Sequence, residues 1–574
     1  MLVVTTGAIL SACPGRTTDD SNTAGAASGS AESAPTGASG AKPDIERVEV
    51  DLLAFGRQLG QIAPCGCTSL PLGGLDFAFG YIEAESKAGQ RLVLEPGSFL
   101  YPDPHHPEAP RDAAGWAQAE QRAQALTQRF AALGTDLVSG LGPTDFANPE
   151  GPGLAAHALP RTLANLEDAK RQALPEVEAA RVVTLGHEIE AVVTAVVDPS
   201  AVRDIEALGT PTEPVAAAKA ALAAHPDAEL SVVMVAGPRT LAEQIARELE
   251  VDVVIMGGEI ASADEGREGQ PPAKVGDTWL LEPGDRAQTL SHLTLRLAAD
   301  APAEAAAGEW KVLDSAAQID AQIAQLDERL AKFKADPSAD PKFVARVQAE
   351  RDALLAQKDA PGDPSAKAIA TFAQAAISCM GKSDDAAKQA LKAYDAWVAK
   401  EMKARFEGVK APAPAKGEAG YVGMEACADC HSEAAKFWEG TIHAGAYETL
   451  ERANKQYDLT CVGCHVTGFR KPGGSEVVEN AGLVDVQCEQ CHGPGSLHIE
   501  DPDTTNIRRA VPETVCGECH TPEHSDTFDY KPYLRDILGP GHGADARQAI
   551  GSGPTGGELR AKALQAAGGG CKKM

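Results

Sequence analysis

Four times in the last third of the chain a pair of cysteines encloses two residues and a histidine follows at once. The sets are Cys427, Cys430 and His431; Cys461, Cys464 and His465; Cys488, Cys491 and His492; and Cys516, Cys519 and His520. This spacing lets two thiols add to neighbouring vinyl groups of one haem while the next residue brings its imidazole under the iron. The repeats predict four covalently bound c-type haems, with His431, His465, His492 and His520 as proximal iron ligands. Paired Cys-x-x-Cys elements also build zinc sites. Zinc, however, has no use for a histidine directly after every second cysteine, and the chain has only 14 histidines in 574 residues.

The sixth iron position then decides the chemistry. A second histidine saturates the metal and favours electron transfer, whereas an open position admits a small molecule. Four more histidines lie in the same stretch: His443, His498, His524 and His542. Their number equals the number of motifs, so bis-histidine ligation throughout is one option. His105, His106, His157, His187 and His225 lie elsewhere and are expected to satisfy surface or loop hydrogen bonds.

The elements that must position these groups follow from the apolar pattern. At this length several domains are expected. Over 46–305, short apolar runs (Val48–Phe55, Leu92–Glu95, Leu137–Ser139, Val182–Leu185, Ala191–Val197, Leu230–Val235, Val251–Met256) alternate with Ala-rich stretches such as Ala113–Leu133, Pro214–Ala224 and Arg239–Leu249. That alternation predicts an α/β layered domain. Thr278–Leu281 and Leu290–Leu297 read as closing strands. Residues 306–417 read as a helical hairpin and linker. Val312, Ala316, Ile319, Ile323, Leu326, Leu330 and Phe333 are spaced as an apolar seam. After a breaker at Asp336–Pro341 comes a helix near 343–357, and a further helix pair is expected at about 366–379 and 384–406. The mostly α and irregular tetrahaem domain spans 418–545. It is poor in large aliphatic residues, so the macrocycles are expected to supply much of its core. The Gly-rich tail, 546–574, reads as disordered.

The charge is −30. It excludes nucleic acid as a natural partner and favours docking to basic redox proteins. No apolar run is long enough to span a bilayer. Residues 1–13 combine the apolar run Leu2–Leu10 with Leu10-Ser11-Ala12-Cys13, which resembles a lipoprotein signal whose cysteine becomes the lipidated first residue. No Lys or Arg precedes that run, a departure from the usual form. Residues 14–45, rich in Ser, Gly, Ala and Thr, are expected to be a flexible, disordered tether. The chain is thus expected to be exported, as a periplasmic, outer-membrane or cell-surface lipoprotein. Of the 13 cysteines, Cys65, Cys67, Cys379 and Cys571 remain without a role. Disulfides, metal ligation and redox chemistry are all open to them.

Around the motifs the sequence resembles the tetrahaem cytochrome c-554 family. The resemblance rests on Tyr421-Val422-Gly423 before Cys427, on Phe437-Trp438 with Thr441-Ile442-His443, on Gln487 to His498 with its Cys-His-Gly-Pro-Gly core, and on Cys516 to Tyr530. It covers about 420–543 and implies His443, His498 and His542 as distal ligands. His524 falls where the pattern is looser. The family also allows one haem without a strong sixth ligand.

The amino-terminal domain resembles 5′-nucleotidase-type metallophosphoesterases. Gly60 to Cys67 with Gly73-Gly74-Leu75, then Leu92 to Ser98, Gly140 to Asp145, and Gly257-Gly258-Glu259 stand where that family keeps its landmarks. The metal ligands do not carry over. No Asp-x-His closes the first strand, Ser98 replaces a bridging Asp, Pro143 and Thr144 replace Asn and His, Val235-Ala236-Gly237 supplies no His, and Glu259 replaces another His. A two-metal hydrolase needs that cluster. A metal-free, phosphatase-inactive domain is expected, with Asp145 and Glu259 as remnants.

The leading expectation is an electron carrier rather than a catalyst. The alternatives are a haem enzyme acting on a small nitrogen or sulfur compound at an open iron, and an active phosphoesterase fused to a cytochrome.

Overall fold

The computed structural model describes residues 47–574 apart from 65–67, 107–108, 204, 259–268, 299–310, 315–318, 320–322, 325, 328, 332, 334–340, 360–367, 480–481, 570 and 572–574. The expected signal with Cys13, the tether, Cys65, Cys67 and Glu259 lie outside the described residues. Residues 45–574 cluster as one compact unit.

Among the described residues, fourteen strands form in chain order: β1 (Arg47–Ala54), β2 (Arg91–Glu95), β3 (Leu137–Ser139), β4 (Arg161–Thr162), β5 (Val177–Glu178), β6 (Ala180–Leu185), β7 (Ile189–Val197), β8 (Leu230–Ala236), β9 (Val253–Met256), β10 (Gln270–Val275), β11 (Thr278–Glu282), β12 (Thr289–Ala298), β13 (Lys311–Asp314) and β14 (Ala368–Ala376). One sheet has the order β13-β14-β12-β1-β2-β3-β4-β5 and the other β10-β11-β9-β8-β7-β6. β1, β2 and β3 run parallel. All five residues of β2 are buried, as a strand covered on both faces requires.

The two sheets pack face to face. Leu52, Leu92, Leu94 and Val138 of the first meet Val193, Val232, Met234 and Ile255 of the second in one apolar layer. The outer face of the first sheet is covered by helices Leu75–Glu85, Ala113–Ala131 and Asp385–Phe406, with Phe130 at the centre of a cluster of rings. Its centroid lies 5.1 Å from Phe55, 5.1 Å from Phe79 and 4.8 Å from Phe99. Helices Pro214–Ala223 and Arg239–Glu248 cover the other sheet. The α/β layering and the strands expected from the apolar runs are present.

Three expectations fail. The segment read as a helix at 366–379 holds β14, which pairs antiparallel with β12 along its whole length. Val312, assigned to a helical seam, lies in β13, parallel to β14. The first sheet therefore borrows two strands from the stretch expected to be wholly helical. The described residues of 319–333 are helical, and Leu326 and Leu330 pack on Val347 of the helix Pro341–Asp359. The tail is also not structureless. Helices Ala544–Ala549 and Gly556–Ala566 form there, and Cys571 is disulfide-bonded to Cys379.

The motif-bearing segment is a set of short helices fixed to the α/β layers. Val462, Val466 and Val477 are fully buried in the same apolar cluster as Tyr394, Val398 and Met402. Arg470 Nη1 reaches Asp112 Oδ2 at 2.7 Å, Lys455 Nζ reaches Asp395 at 3.0 Å, and Arg286 pairs with Glu523. No helix among the described residues is long and apolar enough to cross a membrane.

Candidate haem sites

Each motif sits at a helix edge held by side chains rather than by long regular structure. Cys427 closes the short helix Met424–Ala428, and His431 stands at the start of Ser432–Trp438. Gly423, at φ 87°, makes the turn before the first motif, a backbone region that favours glycine. The third motif holds that turn in place. The buried Glu489 carboxylate accepts from the amides of Val422 (3.0 Å), Gly423 (2.8 Å) and Gly495 (2.7 Å), and Gln487 Oε1 accepts from the Met424 amide at 2.7 Å. The first and third motifs are thus one hydrogen-bonded unit.

The thiols are gathered too. Cys427 is within hydrogen-bonding reach of Cys488, and Cys519 of Cys464. Cys491 and Cys516 are close enough for their charges to interact. None of the eight motif cysteines enters a disulfide.

The histidines are oriented as metal ligands. His465 Nδ1 donates to the Ala446 carbonyl at 2.6 Å, His492 Nδ1 to the Arg508 carbonyl at 2.7 Å, and His498 Nδ1 to the Asp503 carbonyl at 3.0 Å. A carbonyl only accepts, so Nδ1 carries the proton and the Nε2 lone pair is left for a metal. His520 Nδ1 lies 3.0 Å from Ser525 Oγ. Its ring stacks on Phe528 at 4.9 Å and meets Tyr533 edge-on at 5.2 Å. Burial pushes the His520 imidazole down to about 4 and lowers that of His443. Burial, with the nearby charge of His492, lowers His542. All three are held neutral, the form that binds metal.

The imidazoles also come together in pairs. The rings of His431 and His498 face each other with centroids 6.5 Å apart and planes 21° apart; those of His443 and His520 are 6.2 Å and 47° apart. A bound metal between two rings needs two metal–nitrogen bonds, about 4 Å together, plus the half-width of each ring, and these gaps match that sum. His542 lies by His492, with its Nδ1 buried and unbonded among the described residues. His465 faces no second imidazole among the described residues, and His524 belongs to neither facing pair. No group of three or more His, Cys, Asp and Glu side chains among the described residues forms a cage for a bare ion. The donor set, cysteine pairs followed by imidazoles whose Nε2 is left free, fits haem. Sequence reasoning missed the pairing itself, because it joins segments far apart in the chain.

In the α/β layers, Asp145 is spent on the backbone. Its carboxylate accepts from the amides of Ser98 (3.0 Å), Phe99 (2.8 Å), Leu100 (2.9 Å) and Gly142 (2.8 Å). Glu95 lies fully buried, taking the Gly97 amide at 2.8 Å and the Ser139 hydroxyl at 2.6 Å. Burial, then the charge of Asp145, raises its carboxyl to about 8. The buried Arg161 guanidinium donates to the His157 carbonyl at 2.6 Å, and Asp145 and then Glu95 lie near enough for their charges to act on it. His157 is therefore a core residue, with Glu120 at 3.1 Å, not the surface residue expected.

Comparison with known proteins adds the following. The α/β region is similar to a 5′-nucleotidase precursor from Thermus thermophilus (TM-score 0.40, 14% identity, 73% of this chain and 69% of that one). It is also similar to a calcineurin-like phosphoesterase from Bacillus subtilis (TM-score 0.32, 11% identity, 44% and 86%). Cytochrome c-554 of Nitrosomonas europaea is 36% identical over 94 residues, which is 14% of this chain and 40% of that protein. The chain thus spans well under half of the curated relative it matches. Residues 426–493 match the family model for cytochrome c554 and c-prime, so the stretch that holds the first three motifs is similar to that family of c-type cytochromes.

Proposed function

We propose that the protein is an exported, lipid-anchored tetrahaem c-type cytochrome that carries electrons between basic redox partners. Cys13 is the lipidated residue, and the acidic surface steers the partners. The observation that carries the reading is the pair of facing imidazoles, His431 with His498 and His443 with His520, each at the separation one metal requires. His542, buried and near enough to His492 for their charges to interact, is the candidate partner of the third motif. When bound, haem supplies a one-electron iron couple.

The chain's residues do the rest. The eight motif cysteines would tether the groups, and the paired imidazoles would hold the irons that they face. Glu489 and Gln487 lock the first site against the third. The thiol contacts of Cys427 with Cys488 and of Cys519 with Cys464 support neighbouring first and third sites and neighbouring second and fourth sites. The α/β layers act as a rigid platform. Asp145, with its oxygens taken by backbone amides, takes no part in phosphoester hydrolysis.

A second reading rests on His465, which lacks a facing imidazole among the described residues. An open second site would bind a small nitrogen or sulfur compound. Pyridine haemochrome quantification with mass spectrometry and ferric EPR tests both readings. The carrier reading expects four haems, with low-spin signals from three bis-histidine sites. A high-spin signal that shifts with nitrite or hydroxylamine favours the enzyme, and a colourless chain sinks both.

A further inference from the structure

Arg122 is a cation without an anion. It lies on the helix Ala113–Ala131, one turn after Gln118 and two turns before Arg129. Gln118 bonds Asp458 in the turn before the second motif, and Arg129 pairs with Asp384 at 2.8 Å. Arg122 has no such partner among the described residues: it forms no ion pair, and its Nε is buried with no hydrogen bond. Beside it stands Tyr394 of the helix Asp385–Phe406. That residue is 6% exposed, and its hydroxyl too is buried with no hydrogen bond. Donors taken out of water without an acceptor are costly, and a charged one most of all.

Both side chains sit where the α/β layers meet the second motif. Tyr394, Val398, Met402 and Phe406, four residues apart, form the buried stripe of their helix. Val398 and Met402 share the apolar cluster of Val462. Next to Tyr394, Asp395 takes Lys455 Nζ at 3.0 Å. One turn from Arg122, Gln118 holds Asp458, whose carbonyl accepts the amides of Cys461 and Val462. Asp458 is not the missing acceptor. It pairs with neither Arg122 nor Tyr394, and its Oδ1 is taken by Gln118 and by the Thr460 amide and hydroxyl.

A guanidinium beside a phenol is a donor set for a carboxylate: the first brings charge and N–H groups, the second an O–H. Burial pushes the Tyr394 phenol up, so it keeps the proton it would donate. A haem brings carboxylates with it, its propionates. We propose that Arg122 and Tyr394, two side chains of the α/β layers, hold a propionate of the haem carried by the second motif. The proposal rests on the reading of Cys461, Cys464 and His465 as the attachment site of that haem. It makes the layers part of the cofactor site as well as its support. Without the guanidinium, the negative charge of the propionate acts on the iron and favours the oxidised form. The effect is of the order of tenfold in the one-electron equilibrium, or ~59 mV.

The test is resonance Raman spectroscopy with spectroelectrochemical titration of the full-length holoprotein and of R122Q, R122K and Y394F. In R122Q and Y394F the same component of the propionate bending band moves and the same reduction step falls. R122K, which keeps the charge, holds that step in place. Y394F keeps the ring and its packing, so it reads the site even where R122Q does not fold. An unmoved propionate band and unmoved potentials in an R122Q or Y394F protein that retains its haems overturn the proposal alone, as do shifts of R122Q and Y394F at different haems. A mature protein whose Cys461 and Cys464 carry no haem overturns both the proposal and the reading beneath it.

Discussion

Gln118 of the α/β layers and Asp458 of the motif-bearing segment lock together in a site that excludes water. Gln118 Nε2 donates to Asp458 Oδ1 at 2.7 Å, and Gln118 Oε1 accepts from the Leu459 amide at 3.1 Å. The two residues are only 1% and 3% exposed. Asp458 in turn starts the turn that presents the second motif. Its carboxylate takes the Thr460 hydroxyl at 2.6 Å, and its carbonyl takes the amides of Cys461 (3.0 Å) and Val462 (2.9 Å).

Replacing Gln118 by leucine keeps the volume but leaves the Leu459 amide and one carboxylate lone pair buried without partners. Such losses cost about 1–3 kcal/mol each. Gln118→Leu is expected to lower the thermal midpoint by several degrees and to perturb the spectrum of the second haem more than that of the first. Differential scanning calorimetry with low-temperature EPR checks both. Equal disturbance of all sites would show that the contact does not position the second motif.

The ligand assignments predict a sharp contrast among four histidines. His498→Ala and His443→Ala each remove one ring of a facing pair, and each is expected to convert one low-spin haem to high spin while the haem count stays at four. His542→Ala is expected to do the same at the third site. His524→Ala is the comparison variant, because its ring is in neither the His431–His498 nor the His443–His520 pair; an unchanged EPR spectrum there keeps the ligand set as assigned. A high-spin signal from His524→Ala would move that residue into the ligand set.

How much of this was legible in the sequence depends on how local the determining physics is. Haem attachment is written in five consecutive residues, so the motifs could be read directly. β14 could not. Its Ala-rich sequence, Ala-Ile-Ala-Thr-Phe-Ala-Gln-Ala-Ala, has helical propensity, yet pairing with β12 overrides it. The signal was the period of two that buries Ala370 and Phe372 between partly exposed neighbours. In the tail, Gly-rich composition hid the capping pair Thr555 and Glu558, which is itself a readable helix start. The facing histidines, the Cys379–Cys571 bond and the backbone-capping role of Asp145 join residues distant in sequence, and no local pattern marks them.

Glu489 illustrates a motif residue whose role lies outside the motif. It sits between Cys488 and Cys491 but spends its carboxylate on Val422, Gly423 and Gly495. Glu489→Ala leaves those amides without their acceptor in a buried place. A loss of about 2–5 kcal/mol is expected on that account. Glu489→Gln retains part of it. Hydrogen exchange at residues 422–424 reads the effect locally, and unchanged protection there would refute the lock between the first and third motifs.

The buried Glu95 gives the protein a predictable response to pH. Its folded carboxyl titrates at about 8, raised first by burial and then by Asp145, whereas in the unfolded chain it titrates near the ordinary 4.5. Between these values the folded state holds a proton that the unfolded state has released. Stability from this group is therefore complete below about pH 4.5, falls as pH rises toward 8, and then levels off. The slope within the window approaches ~1.4 kcal/mol per pH unit. Other groups titrate in the same range, so the comparison that isolates Glu95 is with Glu95→Gln, which keeps the shape and cannot ionise. Urea unfolding of both proteins at pH 5, 6.5 and 8 is expected to show the wild type losing stability relative to the variant at each step. Parallel curves would mean that Glu95 stays ionised in the fold and that Arg161, not a proton, balances its charge.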